Sequence, residues 1–206
     1  VLFPQNGTEL DDLINKSRLA MQYAASQGGD SFRFFDWKAT RRRFTSDRIS
    51  IENDLRVAIE EKQFFLNYQP QIELQSGGVH GCEALIRWQH PRRGLLPPVD
   101  FIPLAEESGR ITDIGRWVIM AACRQLAKWQ KGPYSHLRIA VNLSGRELDD
   151  ESIVDHIQEA LENNGVPASR LEVELTEEIF IQNIEHNLNQ LTKLHKLGVH
   201  LAIDDF

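Results

Sequence analysis

The sequence predicts an α/β fold built on a parallel sheet, and two observations carry that expectation. From residue 64 onward, short apolar runs of strand length alternate with longer stretches whose apolar residues recur at helical spacing. Glycine and proline mark the joins: Gly165 and Pro167 follow a helical stretch over 150–163, and Gly198 follows one over 184–196. Strands joined through helices in this way pair in parallel, with right-handed crossovers.

Taken in order, residues 1–7 read as a strand end and a turn. Thr8 is a favoured N-cap for a helix carrying Leu10, Leu13, Ile14, Ala20, Met21 and Ala24 on one face, and Gly28-Gly29 stops it. Residues 31–35 form a short strand, and this first piece is too small to be a domain alone. Residues 38–44 are basic, and the Arg41-Arg42-Arg43 run reads as a solvated face, with a phosphate or membrane contact as the alternative. A connecting helix follows, with Ile51, Leu55 and Ile59 at helical spacing. Then come an extended run 64–73, a turn 75–78, a strand 79–88, and a loop through 90–94 and Pro97-Pro98. Helices over 100–107 and 113–130 lead to a strand 137–143, a helix 150–163 and a strand 171–175. The helix 184–196 turns Leu188, Leu191 and Leu194 inward, and the strand 199–204 closes the series. The expected division is a leading piece 1–37, a linker 38–62 and a main domain 63–206.

The composition removes several function classes. The hydrophobic share of 41% and charged share of 26% are ordinary for a water-soluble globular chain. A net charge of −7 argues against coating DNA or RNA, which calls for a basic surface. A small nucleotide ligand is still allowed, because a bound cation supplies local positive charge. Cys82 falls in a strand and Cys123 in a helix, so both read as reduced core residues, as in a cytoplasmic protein. No run approaches the ~20 apolar residues that span a bilayer, and no signal peptide is visible. With Val1 at its start, the chain reads as an excised piece of a longer protein.

The chemistry lies at strand ends. Glu83 in Cys82-Glu-Ala-Leu-Ile-Arg-Trp88, Asn142 in Ala140-Val-Asn-Leu-Ser144, Glu174 in Glu172-Val-Glu-Leu-Thr-Glu177, and Asp204-Asp205 each stand in or after an apolar strand. In a parallel α/β barrel the active site lies at the C-terminal ends of the strands. Oxygen donors gathered there suit a hard divalent cation such as Mg²⁺ or Mn²⁺. Helix capping competes as an explanation for Asn142 or Asp204 taken singly. It does not serve Glu83, which sits inside a strand and must be paired or bind a metal. Adjacent residues of a strand point to opposite faces, so Asp204 and Asp205 serve one site only if the strand ends there. A second carboxylate reaching a second cation would fit two-metal hydrolysis of a phosphate ester.

Over residues 64–206 these motifs resemble the EAL-domain family, the cyclic di-GMP phosphodiesterases. The resemblance rests on Tyr68-Gln-Pro70, Glu83-Ala-Leu-Ile-Arg-Trp88, Phe101-Ile-Pro-Leu-Ala-Glu-Glu107, Val141-Asn-Leu-Ser144, Glu174-Leu-Thr-Glu177 and Asp204-Asp-Phe206. It implies a TIM-like (βα) barrel of which the first half is present, and a two-metal site for Mg²⁺ or Mn²⁺. Carried over by motif, Glu83, Asn142, Glu174 and Asp204 would hold metal. Asp205 would hold the second metal and its nucleophilic water. Gln69 and Arg87 would contact substrate, Leu85 would line the site, and Glu177 would steady the loop after the Asp204-Asp205 strand and is tied to dimerisation. Taken without the resemblance, Arg87 reads as a surface ion-pair partner and Gln69 as a strand-edge amide.

Residues 1–35 resemble the tail of a GGDEF (diguanylate cyclase) domain, through Leu2-Phe-Pro-Gln-Asn-Gly7, Ala20-Met21 and Phe32-Arg-Phe-Phe35. Gly28-Gly29-Asp30 follows the helix and is not the cyclase signature. The resemblance therefore implies the join of a GGDEF–EAL tandem, with a homodimer through the EAL domain and a cytoplasmic location. The activity implied is hydrolysis of cyclic di-GMP to linear pGpG, with catalysis by Glu83, Asp204 and Asp205. The alternatives are a catalytically silent cyclic di-GMP receptor signalling through the helix near 49–62, and a dimerisation scaffold. The family's later lysine, glutamate and glutamine lie beyond Phe206, so the 206-residue piece alone is expected to be inactive.

Overall fold

The strand–helix alternation is realised over residues 51–206, one of two compact units; the other is residues 1–50. The structure, a computed structural model, describes residues 1–26, 32, 34, 50–176, 179 and 184–204. The expected turn at Gly28-Gly29, most of the strand 31–35, the basic stretch 38–44, Glu177, Asp205 and Phe206 lie outside the described residues.

In the first unit, helix α1 (Leu10–Ser26) forms where the spacing predicts. Lys16 donates to the Asn6 carbonyl at 2.6 Å and pairs with Asp12 one turn away. Of the residues on that apolar face, Ala20 is buried while Leu10, Ile14 and Met21 are exposed. Periodicity decides which residues share a face, not whether another element covers it.

The second unit begins with helix α2 (50–58). Six strands follow: β1 (Phe64–Ile72), β2 (Val79–His90), β3 (Gly94–Leu96), β4 (Arg138–Asn142), β5 (Leu171–Thr176) and β6 (His200–Asp204). The helices between them are α3 (Pro98–Glu107), α4 (Ile111–Trp129), α5 (Gly145–Leu148), α6 (Ile153–Asn164) and α7 (Ile184–Leu197). The sheet runs β1-β2-β4-β5-β6, with β3 attached to β2. Its β2-β4-β5-β6 part is parallel, as expected. The whole sheet is mixed rather than parallel, because β1 and β3 run antiparallel to β2. The turns at 73–78 and 91–93 are too short for a crossover, and short connections force antiparallel pairing. Sequence reading also passed over β3 and the one-turn α5, both too short to show a period.

One face of the sheet is packed by helices. Cys82, Ala84, Ile86 and Trp88 of β2, Ile139 and Val141 of β4, and Leu171, Val173 and Leu175 of β5 share a core with α2, α3, α4, α6 and α7. Trp88 is fully buried, packed tilted against Phe64 and His90 and edge-to-face against Phe101 at centroid distances of 4.9–5.5 Å. Its indole N–H donates to Gln63 at 2.9 Å. Helix α6 ends at Gly165, whose φ of 61° is the left-handed conformation of a C-cap.

Two inward leucines of α7 behave as expected, but Leu188 is 46% exposed. The buried stripe is Asn187, Gln190, Leu191 and Leu194, which is the i, i+3, i+4, i+7 series. Polar residues hold two inward positions because their amides are bonded: Asn187 donates to the Ile179 carbonyl at 2.7 Å and Gln190 accepts from Lys193 at 3.3 Å.

Helix α2 is tied to the end of β2 as well as packed on the core through Ile51, Leu55 and Ala58. His90, 1% exposed, accepts the Arg92 backbone N–H on Nδ1 at 3.1 Å. Its proton therefore sits on Nε2, which faces Asp54 of α2 at 3.0 Å. Arg92 holds both Asp54 oxygens, at 2.7 and 3.0 Å. Burial alone would raise the Asp54 carboxyl; Arg92 and His90 outweigh it and hold it below its ordinary range.

Candidate active site

The sheet face opposite the helices carries the expected site residues. Along β2 the core-facing positions alternate with Glu83, Leu85 and Arg87, all half-buried. Residues paired in register share a face. Gln69 pairs with Glu83, Glu83 with Ala140, Asn142 with Glu174, and Glu174 with Ala202. Position 204 is the register partner of Thr176, two residues beyond Ala202. The expected contacts of the Asp204 side chain, Asp205 and Glu177 fall outside the described residues.

Glu83 and Asn142 are joined directly. Asn142 Nδ2 donates to Glu83 Oε1 at 2.6 Å. A carboxylate only accepts, so the amide nitrogen faces Glu83 and the carbonyl oxygen, an acceptor, is left to offer its lone pairs elsewhere. Asn142 and Glu174 are locked side by side by the ladder, which the Leu143 N–H extends by donating to the Glu174 carbonyl at 3.0 Å. Arg87 donates one N–H to the Ile86 carbonyl at 2.8 Å, and Gln69 is exposed on the strand at the sheet's edge.

A residue that sequence reading missed completes the arrangement. Gln71 Nε2 donates to Glu174 Oε1 at 3.1 Å, across 103 residues of chain. Three strand spacings separate β1 from β5, roughly 14 Å in a flat sheet and further than the two side chains reach together. The sheet is therefore curled, and Gln71 and Glu174 meet across its concave side. They are also not level in register: Gln71 pairs with Gly81 and Gly81 with Arg138, whereas Glu174 pairs with Asn142. The strand tilt and stagger of a barrel bring such offset positions level. The available signal was parity, since Gln71 stands two residues beyond Gln69 on one strand.

The segment after β4 is fixed by a capping box. Ser144 caps α5, accepting from the Glu147 N–H, while the Glu147 carboxyl accepts the Ser144 N–H at 2.9 Å and its hydroxyl. Glu147 is 4% exposed, and burial pushes its carboxyl up to about 7 against the lowering effect of the Ser144 bonds, with Glu106 raising it further. Burial also pushes Cys82 up to about 11 and Cys123 to about 12; both are free buried thiols, as expected. Such thiols carry little thiolate and are chemically inert.

The donor set fits a hard cation: two carboxylates and an amide, all oxygen donors, on adjacent strands of one face. Among the described residues no three Asp, Glu, His or Cys side chains stand close enough to share an ion. The described part of the site is thus Glu83 with Asn142, and Glu174 with Gln71. Among the described residues no helix is long and apolar enough to cross a membrane.

A mixed, curled sheet with helices on one face and oxygen donors on the other defines an α/β barrel-type enzyme domain. Residues 52–206 match the EAL domain family, and the chain belongs to that family. It is 38% identical over 205 residues to the cyclic di-GMP phosphodiesterase NbdA of Pseudomonas aeruginosa, covering 100% of this chain and 26% of that protein. It is 39% identical over 206 residues to the cyclic di-GMP phosphodiesterase PdeR of Escherichia coli, covering 100% and 30%. The chain thus spans under a third of the length of these curated relatives. Among solved structures, the MucR phosphodiesterase in complex with c-di-GMP superposes with a TM-score of 0.74 at 40% identity, covering 76% of this chain and 64% of that one. The fold is accordingly TIM-like.

Proposed function

We propose that this chain is the EAL module of a cyclic di-GMP phosphodiesterase, which hydrolyses one phosphodiester bond of the cyclic dinucleotide to give linear pGpG. The observation that carries the reading is the placement of Glu83, Asn142 and Glu174 on one concave face of adjacent parallel strands, with Asn142 bonded to Glu83. The relatives named as cyclic di-GMP phosphodiesterases support the substrate.

In this reading Glu83, Asn142, Glu174, Asp204 and Asp205 hold two divalent cations, Mg²⁺ or Mn²⁺. Bound there, the cations supply positive charge to the phosphate oxygens and acidify a water. Glu83 and Glu174 provide charge that compensates the ions, and the Asn142 carbonyl adds a neutral oxygen. Arg87 clamps a phosphate through its planar guanidinium, restraining it for in-line attack. Gln69 contacts the substrate from the edge strand, Leu85 lines the floor, and Glu177 steadies the loop beyond β6. Water adds to phosphorus as the bond to one ribose 3′ oxygen breaks, and that oxygen takes up a proton.

The leading residues belong to a GGDEF domain in cis in the same proposal, with 1–37 as its tail, 38–62 as linker and 63–206 as the EAL part of a barrel. Support comes from the bifunctional diguanylate cyclase/cyclic di-GMP phosphodiesterase MucR of Pseudomonas aeruginosa, 36% identical over 100% of this chain. Pairing of two copies through the EAL part and a cytoplasmic site of action complete the reading.

The test is incubation of the parent protein, carried to its natural C-terminus, with cyclic di-GMP and Mg²⁺, Mn²⁺ or chelator, with pGpG quantified. Metal-dependent product that disappears in Glu83→Ala and Glu174→Ala is the expected result. Binding of cyclic di-GMP without turnover would make the chain a receptor instead, and turnover persisting in Glu83→Ala would remove the ligand assignment.

A further inference from the structure

We propose that Gln71 is a positioning residue that holds the Glu174 carboxylate in metal-ready orientation from the opposite wall of the curled sheet. This deepens the reading above and rests on it.

Four features of the structure carry the inference. The contact is specific, because the Gln71 amide nitrogen donates to one named oxygen of Glu174 at 3.1 Å. It is sheltered: Glu174 is 7% exposed and Gln71 half-buried, so water competes weakly for the bond. Room for the reach is provided by Gly81, the register partner of Gln71 on β2. A methyl group on Gly81 would stand 3.1 Å from Gln71 Oε1 and 3.2 Å from the Arg138 carbonyl, so the glutamine side chain passes over a strand stripped of its side chain. Finally, the donor is neutral. A lysine at this position would orient Glu174 equally well but would place a positive charge beside the cation. An amide fixes the carboxylate and leaves its charge available.

Glu83 receives the same treatment from Asn142, so each described carboxylate of the site accepts from an amide. The two amides differ in kind. Asn142 belongs to the ligand set, whereas Gln71 enters from the antiparallel edge strand at the height of Gly81, well below the strand ends. Hydrogen-bonding partners of metal ligands typically change metal affinity or activity 10–100-fold when removed.

The experiment is a calorimetric titration of the metal-free full chain with Mn²⁺ alone, on wild type, Gln71→Met, Gln71→Ala and Glu174→Ala, with thermal melting in chelator to confirm that each variant is folded. Gln71→Met keeps the volume and removes the donor. The expected result is Mn²⁺ affinity about 10–100-fold weaker in both Gln71 variants. In the parent protein carried to its natural C-terminus, turnover of cyclic di-GMP by the Gln71 variants should fall at low Mn²⁺ and recover most of the way at saturating Mn²⁺, a rescue that a purely structural defect would not show. Loss of affinity in Gln71→Ala alone, with Gln71→Met within twofold of wild type, would make the residue a space-filler and overturn the proposal. If Glu174→Ala loses Mn²⁺ while both Gln71 variants keep it, this inference fails and the metal assignment stands. If Glu174→Ala binds Mn²⁺ like wild type, both fall.

Discussion

Replacing Gly115 with alanine sets two effects of opposite sign against each other. Gly115 is a buried residue near the start of α4. In an isolated helix the change would be stabilising by about 1 kcal/mol, because glycine is the poorer helix former. In this fold the added methyl would stand 2.6 Å from the Glu147 carboxyl carbon, and closer still to Oε1. Carbon atoms pack at about 3.5–4.0 Å, so the shortfall is about an ångström and something must move. If the Glu147 side chain swings away, Ser144 loses the carboxyl that accepts both its N–H and its hydroxyl. Each such bond contributes on the order of 1 kcal/mol, and the carboxyl must find another place in a buried region. If α4 shifts instead, overpacking costs about 1–3 kcal/mol. The net expectation is a loss of about 1–3 kcal/mol, read as a lower denaturant midpoint at unchanged slope. In a Glu147→Ala background the clash is gone, and Gly115→Ala should be neutral or stabilising by up to about 1 kcal/mol. The cycle therefore predicts a coupling of about 1–4 kcal/mol between two residues on different elements. A Gly115→Ala protein as stable as wild type, or an equal loss in both backgrounds, would refute the claim that this glycine exists to clear Glu147. Turnover should fall with stability, since Ser144 follows Asn142 by two residues.

Three further outcomes are expected. The Glu147 carboxyl is raised from 4.5 to about 7 in the fold, so its contribution is whole below about 4.5 and is lost as pH rises through about 7, by up to about 3 kcal/mol; melting scans of Glu147→Gln, which keeps the capping box, should show a flatter slope across that window. His90→Ala opens a cavity beside Trp88 and strips Asp54 of its buried partner, so unfolding free energy should drop by about 2–4 kcal/mol, with amide exchange accelerating in α2 ahead of β4. Asn142→Asp puts a second carboxylate where an amide now donates to Glu83 at 2.6 Å, so the melting temperature in chelator should fall and the increase on adding Mn²⁺ should exceed that of wild type; equal increases would count against a shared cation.

Much of this molecule was legible in order along the chain. The alternation of strand and helix, the stops at Gly165 and Gly198 and the placing of Glu83, Asn142 and Glu174 on strands all follow from local periodicity and turn chemistry, which act over a few residues, although only Asn142 ends its strand, Glu83 and Glu174 lying inside theirs. The same periodicity made Leu188 inward and left Asn187 and Gln190 unremarked, because it ranks residues by polarity and cannot see the carbonyl or lysine that satisfies a buried amide. The mixed sheet, the clasp of Asp54 by His90 and Arg92, the clearance of Glu147 by Gly115 and the meeting of Gln71 with Glu174 belong to tertiary structure alone. Each depends on how far the sheet curls and how its strands are staggered. Curl and stagger are set by the packing of the whole layer, so residues that share no local pattern come within hydrogen-bond reach only once the chain has closed around them.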